Sequence, residues 1–161
     1  MELNQTATTQ ETERLTLALI AHDSKKEDLV YFAKSHRDEL GHLNLIATKD
    51  TGQRIRSRTT LEVTLLETGR MGGEHQIASL VVSGTVNAII LLRDPLRAKS
   101  DEPDVNALQK VCDIHDVPLA TNLTSAEATL HLMVHHPDIF SGSYQADELM
   151  PELMFQSASM M

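Results

Sequence analysis

The sequence predicts an α/β fold: a central parallel sheet with helices on both faces. Short β-rich apolar runs alternate along the chain with helix-length amphipathic stretches, and that connectivity requires parallel strands joined by crossing helices. LTLALIA over 15–21 reads as a buried strand, and NAIILL over 87–92 is the clearest strand of all. Polar, glycine-bearing and acidic residues follow each run, where such sheets place their ligands.

In chain order, the strand at 15–21 is followed by a helix over 24–40, opened by a capping box of Ser24 with Glu27. A second strand is expected over 43–48 and a short helix over 52–59. Residues 61–67 (LEVTLLE) alternate apolar and polar side chains and read as a strand. The segment GRMGGEHQIASLVVSG gives a glycine-rich turn, a helix with Ile77, Leu80 and Val81 on one face, and a stop at Gly84. After NAIILL, a helix over 104–115 turns Val105, Leu108, Val111 and Cys112 inward. A short strand over 117–121 precedes a last helix over 124–136, with Thr124 and Glu127 as its capping box and Pro137 as its end. Three parts result: a solvated lead-in, 1–14; one domain, 15–136; and an acidic, Met-rich tail, 137–161. The tail has no Lys or Arg, and its ELMPELMFQ stretch either docks on a neighbouring subunit or stays mobile.

The 161 residues suffice for one domain with a real core. With 41 % hydrophobic residues, 3 % aromatics and no Trp, that core must be aliphatic. No apolar run is long enough to span a membrane, and the opening MELNQTATTQETER is too polar for a signal peptide, so a cytoplasmic location is expected. The lone Cys112 excludes an internal disulfide and reads as a small buried hydrophobe. A net charge of −9 argues against a nucleic-acid binder.

The predicted strand ends collect the chemistry. His22, Asp23 and Lys26 follow the first; Thr48, Lys49, Asp50, Thr51 and Gly52 the second; Thr68, Gly69, Gly72, Gly73 and Glu74 the third. Asp94, Pro95 and the loop Asp101, Glu102, Pro103, Asp104 follow NAIILL. Hydroxyls, glycine amides and a lysine suit an oxyanion, while carboxylates suit proton transfer. Singly, each residue has a structural reading: Asp23 and Asp104 as helix caps, Gly72 and Gly73 as turn formers. Together, at one end of one sheet, they point to phosphate recognition coupled to acid–base chemistry. His131 and His135 sit four apart on a helix, but no third ligand is evident and no metal is expected; His36 and His42 read as exposed.

The segments LIAHDSKK, the Thr-x-x-Thr-Gly turn at 48–52, GRMGGEHQI, LLRDPLRA, EPDVNAL and VPLATN occur in the order that resembles methylglyoxal synthase, from about Leu15 to His136. The resemblance implies a three-layer, flavodoxin-like sandwich, a homohexamer, no metal or organic cofactor, and a small phosphorylated or anionic metabolite as ligand. The reaction it implies is elimination of phosphate from dihydroxyacetone phosphate to give methylglyoxal. It also implies that His22 and Lys26 touch substrate, Thr48 and Thr51 the phosphate, and Thr68 with Gly69 its remaining oxygens. Asp23, Asp94 and Asp104 match acidic positions of that pocket, and Glu74 stands at the catalytic base.

Four positions, at three places in the sequence, depart from the family pattern. Its phosphate turn, Thr-Gly-Thr-Thr-Gly, is here Thr48-Lys49-Asp50-Thr51-Gly52; its catalytic Asp is Glu74; and its histidine before Pro-Asp is Asp101. An Asp50 carboxylate ~5 Å from a phosphate repels it by roughly 3 kcal/mol per charge pair at an effective dielectric of 20, unless Lys49 and Asp50 swing outward. Lys49 in place of glycine also removes freedom for positive φ. A longer base and a carboxylate in place of a donor both slow turnover. Two expectations stand side by side: a slow lyase, or a catalytically degenerate relative acting as a metabolite-binding, regulatory or assembly protein.

Overall fold

The computed structural model describes residues 14–96 and 105–140. Its strands are β1 (Thr16–Ala21), β2 (Asn44–Thr48), β3 (Thr64–Leu66), β4 (Ala88–Leu92) and β5 (Leu119–Ala120). All pair in parallel in the order β3-β2-β1-β4-β5, with Leu17 flanked by Leu45 and Ala88. The chain steps outward from β1 through β2 to β3, then crosses back to lay β4 on the other side of β1. The order therefore reverses between β1 and β4, so their carboxyl ends border the switch-point crevice where such sheets take ligands.

The helices are α1 (Lys26–Ser35), α2 (Arg37–Leu40), α3 (Lys49–Thr59), α4 (Gly73–Val82), α5 (Val105–Ile114) and α6 (Leu123–His135). Alternation along each strand divides the core in two. Leu17, Leu19, Leu45 and Ile90 pack with Leu29 and Phe32 of α1, Ile55 of α3 and Leu130 and Met133 of α6. Ala18, Ile20, Ile46 and Ile89 pack on the other face with Ile77 and Val81 of α4 and Val105, Leu108 and Cys112 of α5. The core is aliphatic apart from Phe32, as the composition required. Each buried Leu or Ile contributes about 1.5–3 kcal/mol. Burial pushes the Cys112 thiol up to about 11, with the Asp113 charge adding to it.

Local elements differ from expectation where side chains found distant partners. The helix expected over 24–40 is a short 3-10 turn at Asp23–Lys25 followed by α1 and α2, separated at His36. Ser24 and Glu27 make no capping box. Ser24 bonds Asp94, 70 residues on, and Glu27 accepts from Arg54 (2.9 Å) and Arg58 (2.5 Å) of α3. His36 is not exposed but half-buried, with Nδ1 3.3 Å from Glu39 and Nε2 2.6 Å from Glu127. That contact takes Glu127 from its expected capping role. Asn122 caps α6 instead, in a reciprocal box with Ser125. The helix after β2 starts at Lys49 rather than residue 52, so the presumed loop 48–52 is its first turn. The strand over 61–67 contracts to β3, and that over 117–121 to β5. Gly84 ends α4 at φ 78°, as expected. Pro137–Phe140 forms one further turn after α6; Phe140 packs on the core, and its carbonyl accepts from Asn87.

A surface cavity of about 1430 Å³ opens at the opposite, amino-terminal end of the sheet. Arg14, Arg37 and Arg56 line it with Asp38 and Glu62. Thr60 on its wall ends α3 in the left-handed region at φ 61°, its hydroxyl accepting from Arg37 at 2.6 Å.

Candidate active site

The crevice forms where β1 and β4 end. His22, the residue after β1, is 2 % exposed, and its backbone N–H donates to Leu92 O at 3.0 Å. Its ring Nδ1 accepts from the backbone N–H of Asp94 at 3.0 Å. An N–H can only donate, so Nδ1 carries no proton and the neutral ring is protonated at Nε2. Asp94 is buried; its Oδ2 accepts from Ser24 Oγ at 2.5 Å and its Oδ1 from the Leu96 N–H at 3.0 Å.

The second wall is the start of α3. Thr48 stands at the N-cap with extended backbone, yet its hydroxyl does not cap; it donates to Thr51 Oγ1 at 3.4 Å. Thr51 is 1 % exposed. The amides of this first turn lack intrahelical acceptors and carry the positive end of the helix dipole, a setting that favours an anion. Lys49 lies within the helix, and positive φ among the described residues is confined to Thr60, Gly72, Gly84 and Asp116. Losing glycine there therefore costs no left-handed conformation, which corrects the expectation from sequence. Gly52 is needed for another reason: a Cβ on it would stand 2.3 Å from Leu65 Cδ2.

Lys26 joins the two walls. Its Nζ lies 2.9 Å from Asp23 Oδ1 and 3.8 Å from Asp50 Oδ2; its side chain is 12 % exposed and that of Asp50 59 %. Asp50 thus leans toward the pocket lysine while keeping much of its surface in solvent.

The third wall is the glycine turn. Thr68 precedes a 3-10 turn over Gly69–Met71, Gly72 adopts φ 92°, and Gly73 opens α4. A Cβ on Gly73 would sit 2.0 Å from Glu67 O and 3.1 Å from Thr48 Cγ2, so only glycine lets α4 start against the Thr48 corner. Half-buried Glu74 follows in the first turn of α4. His22, Asp23, Lys26, Thr48, Thr51, Thr68, Gly69, Glu74 and Asp94 all therefore lie at the carboxyl end of the sheet. Asp104 and Asp101 lie outside the described residues.

Sequence reasoning missed Ser24 as a crevice residue, because its capping-box spacing pointed to a local role. The His131 and His135 ring centroids lie 4.4 Å apart with the planes tilted by 43°, and among the described residues no group of three metal-ligating side chains occurs. No helix among them is long and apolar enough to cross a membrane.

A doubly covered parallel sheet with a polar crevice at its switch point defines the class, and comparison specifies it. The pattern of the MGS-like domain family matches residues 28–121. The chain is 48 % identical over 123 residues to methylglyoxal synthase of Moorella thermoacetica, covering 76 % of this chain and 96 % of that protein. It is 51 % identical over 114 residues to methylglyoxal synthase of Thermus thermophilus, covering 71 % and 90 %. The crystal structure of methylglyoxal synthase from Elizabethkingia anophelis superposes with a TM-score of 0.73 at 35 % identity, over 76 % of this chain and 82 % of that one. The chain belongs to the methylglyoxal synthase family.

Proposed function

We propose that this protein eliminates phosphate from dihydroxyacetone phosphate to give methylglyoxal, slowly. The observation that supports the reading is the position of Lys26 at the start of α3, where its Nζ lies 3.8 Å from Asp50 in the first turn: a cation stands at a helix N-terminus, at the end of the sheet that also carries His22. That is a site for the phosphate of a small molecule, with Thr48, Thr51, Thr68 and Gly69 supplying further donors. Glu74 takes a carbon-bound proton beside the substrate carbonyl, and the electron pair moves to oxygen as an enediolate. The enediolate collapses as the carbon–oxygen bond to phosphate breaks, and the released enol takes up a proton at carbon to become methylglyoxal. His22, protonated at Nε2, donates to the developing oxyanion. Asp23 and Asp94 form the acidic side of the pocket, and Asp104 is assigned to it only by its match to the family pattern.

Slow turnover follows from three residues. Asp50 offsets part of what Lys26 offers a dianion. Glu74 reaches further than an aspartate would, and Asp101 carries charge where a histidine would donate. The test is methylglyoxal formation from dihydroxyacetone phosphate by concentrated purified protein, with Glu74→Gln as control. Product that vanishes in the control supports the lyase; no product above background refutes it.

The Asp50–Lys26 contact favours a second reading, a metabolite-binding or regulatory relative whose ligand is less negative than a triose phosphate. If Asp50→Thr with Glu74→Asp and Asp101→His restores neither phosphate affinity nor turnover, that reading gains. The proposal extends to a homohexamer of the 17.8 kDa chain acting in the cytoplasm, and light scattering tests the assembly.

A further inference from the structure

Ser24 has no role in the reading above, yet it links the two sides of the crevice. Its Oγ donates to Asp94 Oδ2 at 2.5 Å, joining the turn after β1 to the end of β4. The other carboxylate oxygen accepts from the Leu96 N–H, so the Asp94 side chain is held from two sides. With its side chain fixed, the Asp94 peptide is fixed too, and its N–H is aimed at His22 Nδ1. His22 returns the tie through its own N–H to Leu92 O, and its carbonyl accepts from the Lys25 N–H at 2.8 Å. A ring of hydrogen bonds thus runs from Ser24 through Asp94 to His22 and back along the turn.

We propose that Ser24 is a positioning residue: through Asp94 it holds the His22 ring as the Nε2–H tautomer, so that His22 stays a hydrogen-bond donor. The alternative tautomer would place a ring N–H against the Asp94 N–H, two donors facing each other. The energy difference between tautomers in solution is small, so the neighbour on Nδ1 decides which one persists. A donor aimed before the reaction serves a developing oxyanion better than one that must reorient. Asp94, in this account, acts mainly through its backbone, and its carboxylate is the handle by which Ser24 steadies it.

The test uses the full chain with 15N-labelled histidine, reading the His22 ring nitrogens at neutral pH, with a His22→Gln sample to assign them. In the unaltered protein Nδ1 should give the signal of an unprotonated nitrogen and Nε2 that of a protonated one. Ser24→Ala should move both signals toward the averaged values of a ring sampling two tautomers, and Ser24→Thr should restore them. Asp94→Asn, which keeps the backbone N–H but weakens the tie to Ser24, should shift them in the same direction by less. For the kinetic arm alone, the inference rests on the proposed lyase: Ser24→Ala should lower kcat on the order of tenfold with KM little changed. Unchanged ring signals in Ser24→Ala would overturn the inference, as would failure of a folded Ser24→Thr to restore them. Absence of methylglyoxal from the unaltered protein would sink the lyase while the ring signals still decide the role of Ser24.

Discussion

The two ends of the sheet hold opposite arrangements of charge. At the carboxyl end, Lys26 is shared between Asp23 and Asp50, with Asp94 and Glu74 on the same rim. At the amino end, Arg14, Arg37 and Arg56 outnumber Asp38 and Glu62 around the cavity of about 1430 Å³. On charge alone, the arginine end is the better home for an anion. What it lacks is aimed geometry. Parallel strands bring helix N-termini, with their unpaired amides, to the carboxyl end alone; the amino end receives helix C-termini such as that of α3 at Thr60. The chemistry therefore gathers at the end with the poorer net charge.

Changes at the carboxyl end should alter activity, and changes at the amino end stability alone. The largest effect is expected from Glu74→Gln, which removes the proposed base and should lower kcat by about 10²–10⁴ in the methylglyoxal assay. Gly73→Ala comes next: its Cβ meets the Glu67 carbonyl, so the start of α4 must shift. A loss of about 2–3 kcal/mol in denaturant unfolding is expected, together with most activity as Glu74 is displaced with the start of α4. Asp50→Thr sharpens the contrast by making the crevice more receptive. Solvent around Asp50 screens its repulsion to about 1 kcal/mol, so KM for dihydroxyacetone phosphate should fall about fivefold with kcat nearly constant.

Two smaller effects lie outside the crevice. Thr60→Asn relieves a β-branched residue of its left-handed backbone and should raise stability by about 0.5–1 kcal/mol with turnover unaltered. If it alters turnover, the two ends are coupled and the comparison fails. His36 supplies a pH signature. Burial pulls its basicity down, but the hydrogen bonds and charges of Glu127 and Glu39 outweigh that and hold it above its ordinary value. A raised folded value means the contribution is fully present below the unfolded pKa and is lost as pH rises through the folded one. The free energy of unfolding should therefore fall by about 1 kcal/mol or less through and above the ordinary histidine range, and His36→Gln should flatten that decline.

The strands and the two-faced core were legible because the near-continuous apolar runs at 15–21 and 87–92 mark strands buried on both faces, which calls for helices on either side of the sheet. The crevice was legible because residues that follow parallel strands share one end. The start of α3 was not. Thr48, Thr51 and Gly52 have low helix propensity and read as a loop, yet burial of Thr51 and the fit of Gly52 against Leu65 impose a helix there. Ser24 and Glu127 were misread for one reason. Each matches a local capping pattern, and each is claimed by a partner 70 or 91 residues away that no local pattern reveals.

The placement of Cys112 bears on how the protein would withstand its own chemistry. A 2-oxoaldehyde is an electrophile, and the side chain most open to rapid attack by it is a thiolate. Here the sole cysteine lies on the buried face of α5, with its thiol pushed up to about 11. At neutral pH only about one molecule in ten thousand carries that thiolate, and packed side chains bar the approach to it. Under the proposed reaction, a reactive carbonyl compound is released beside a core that offers it no accessible thiolate.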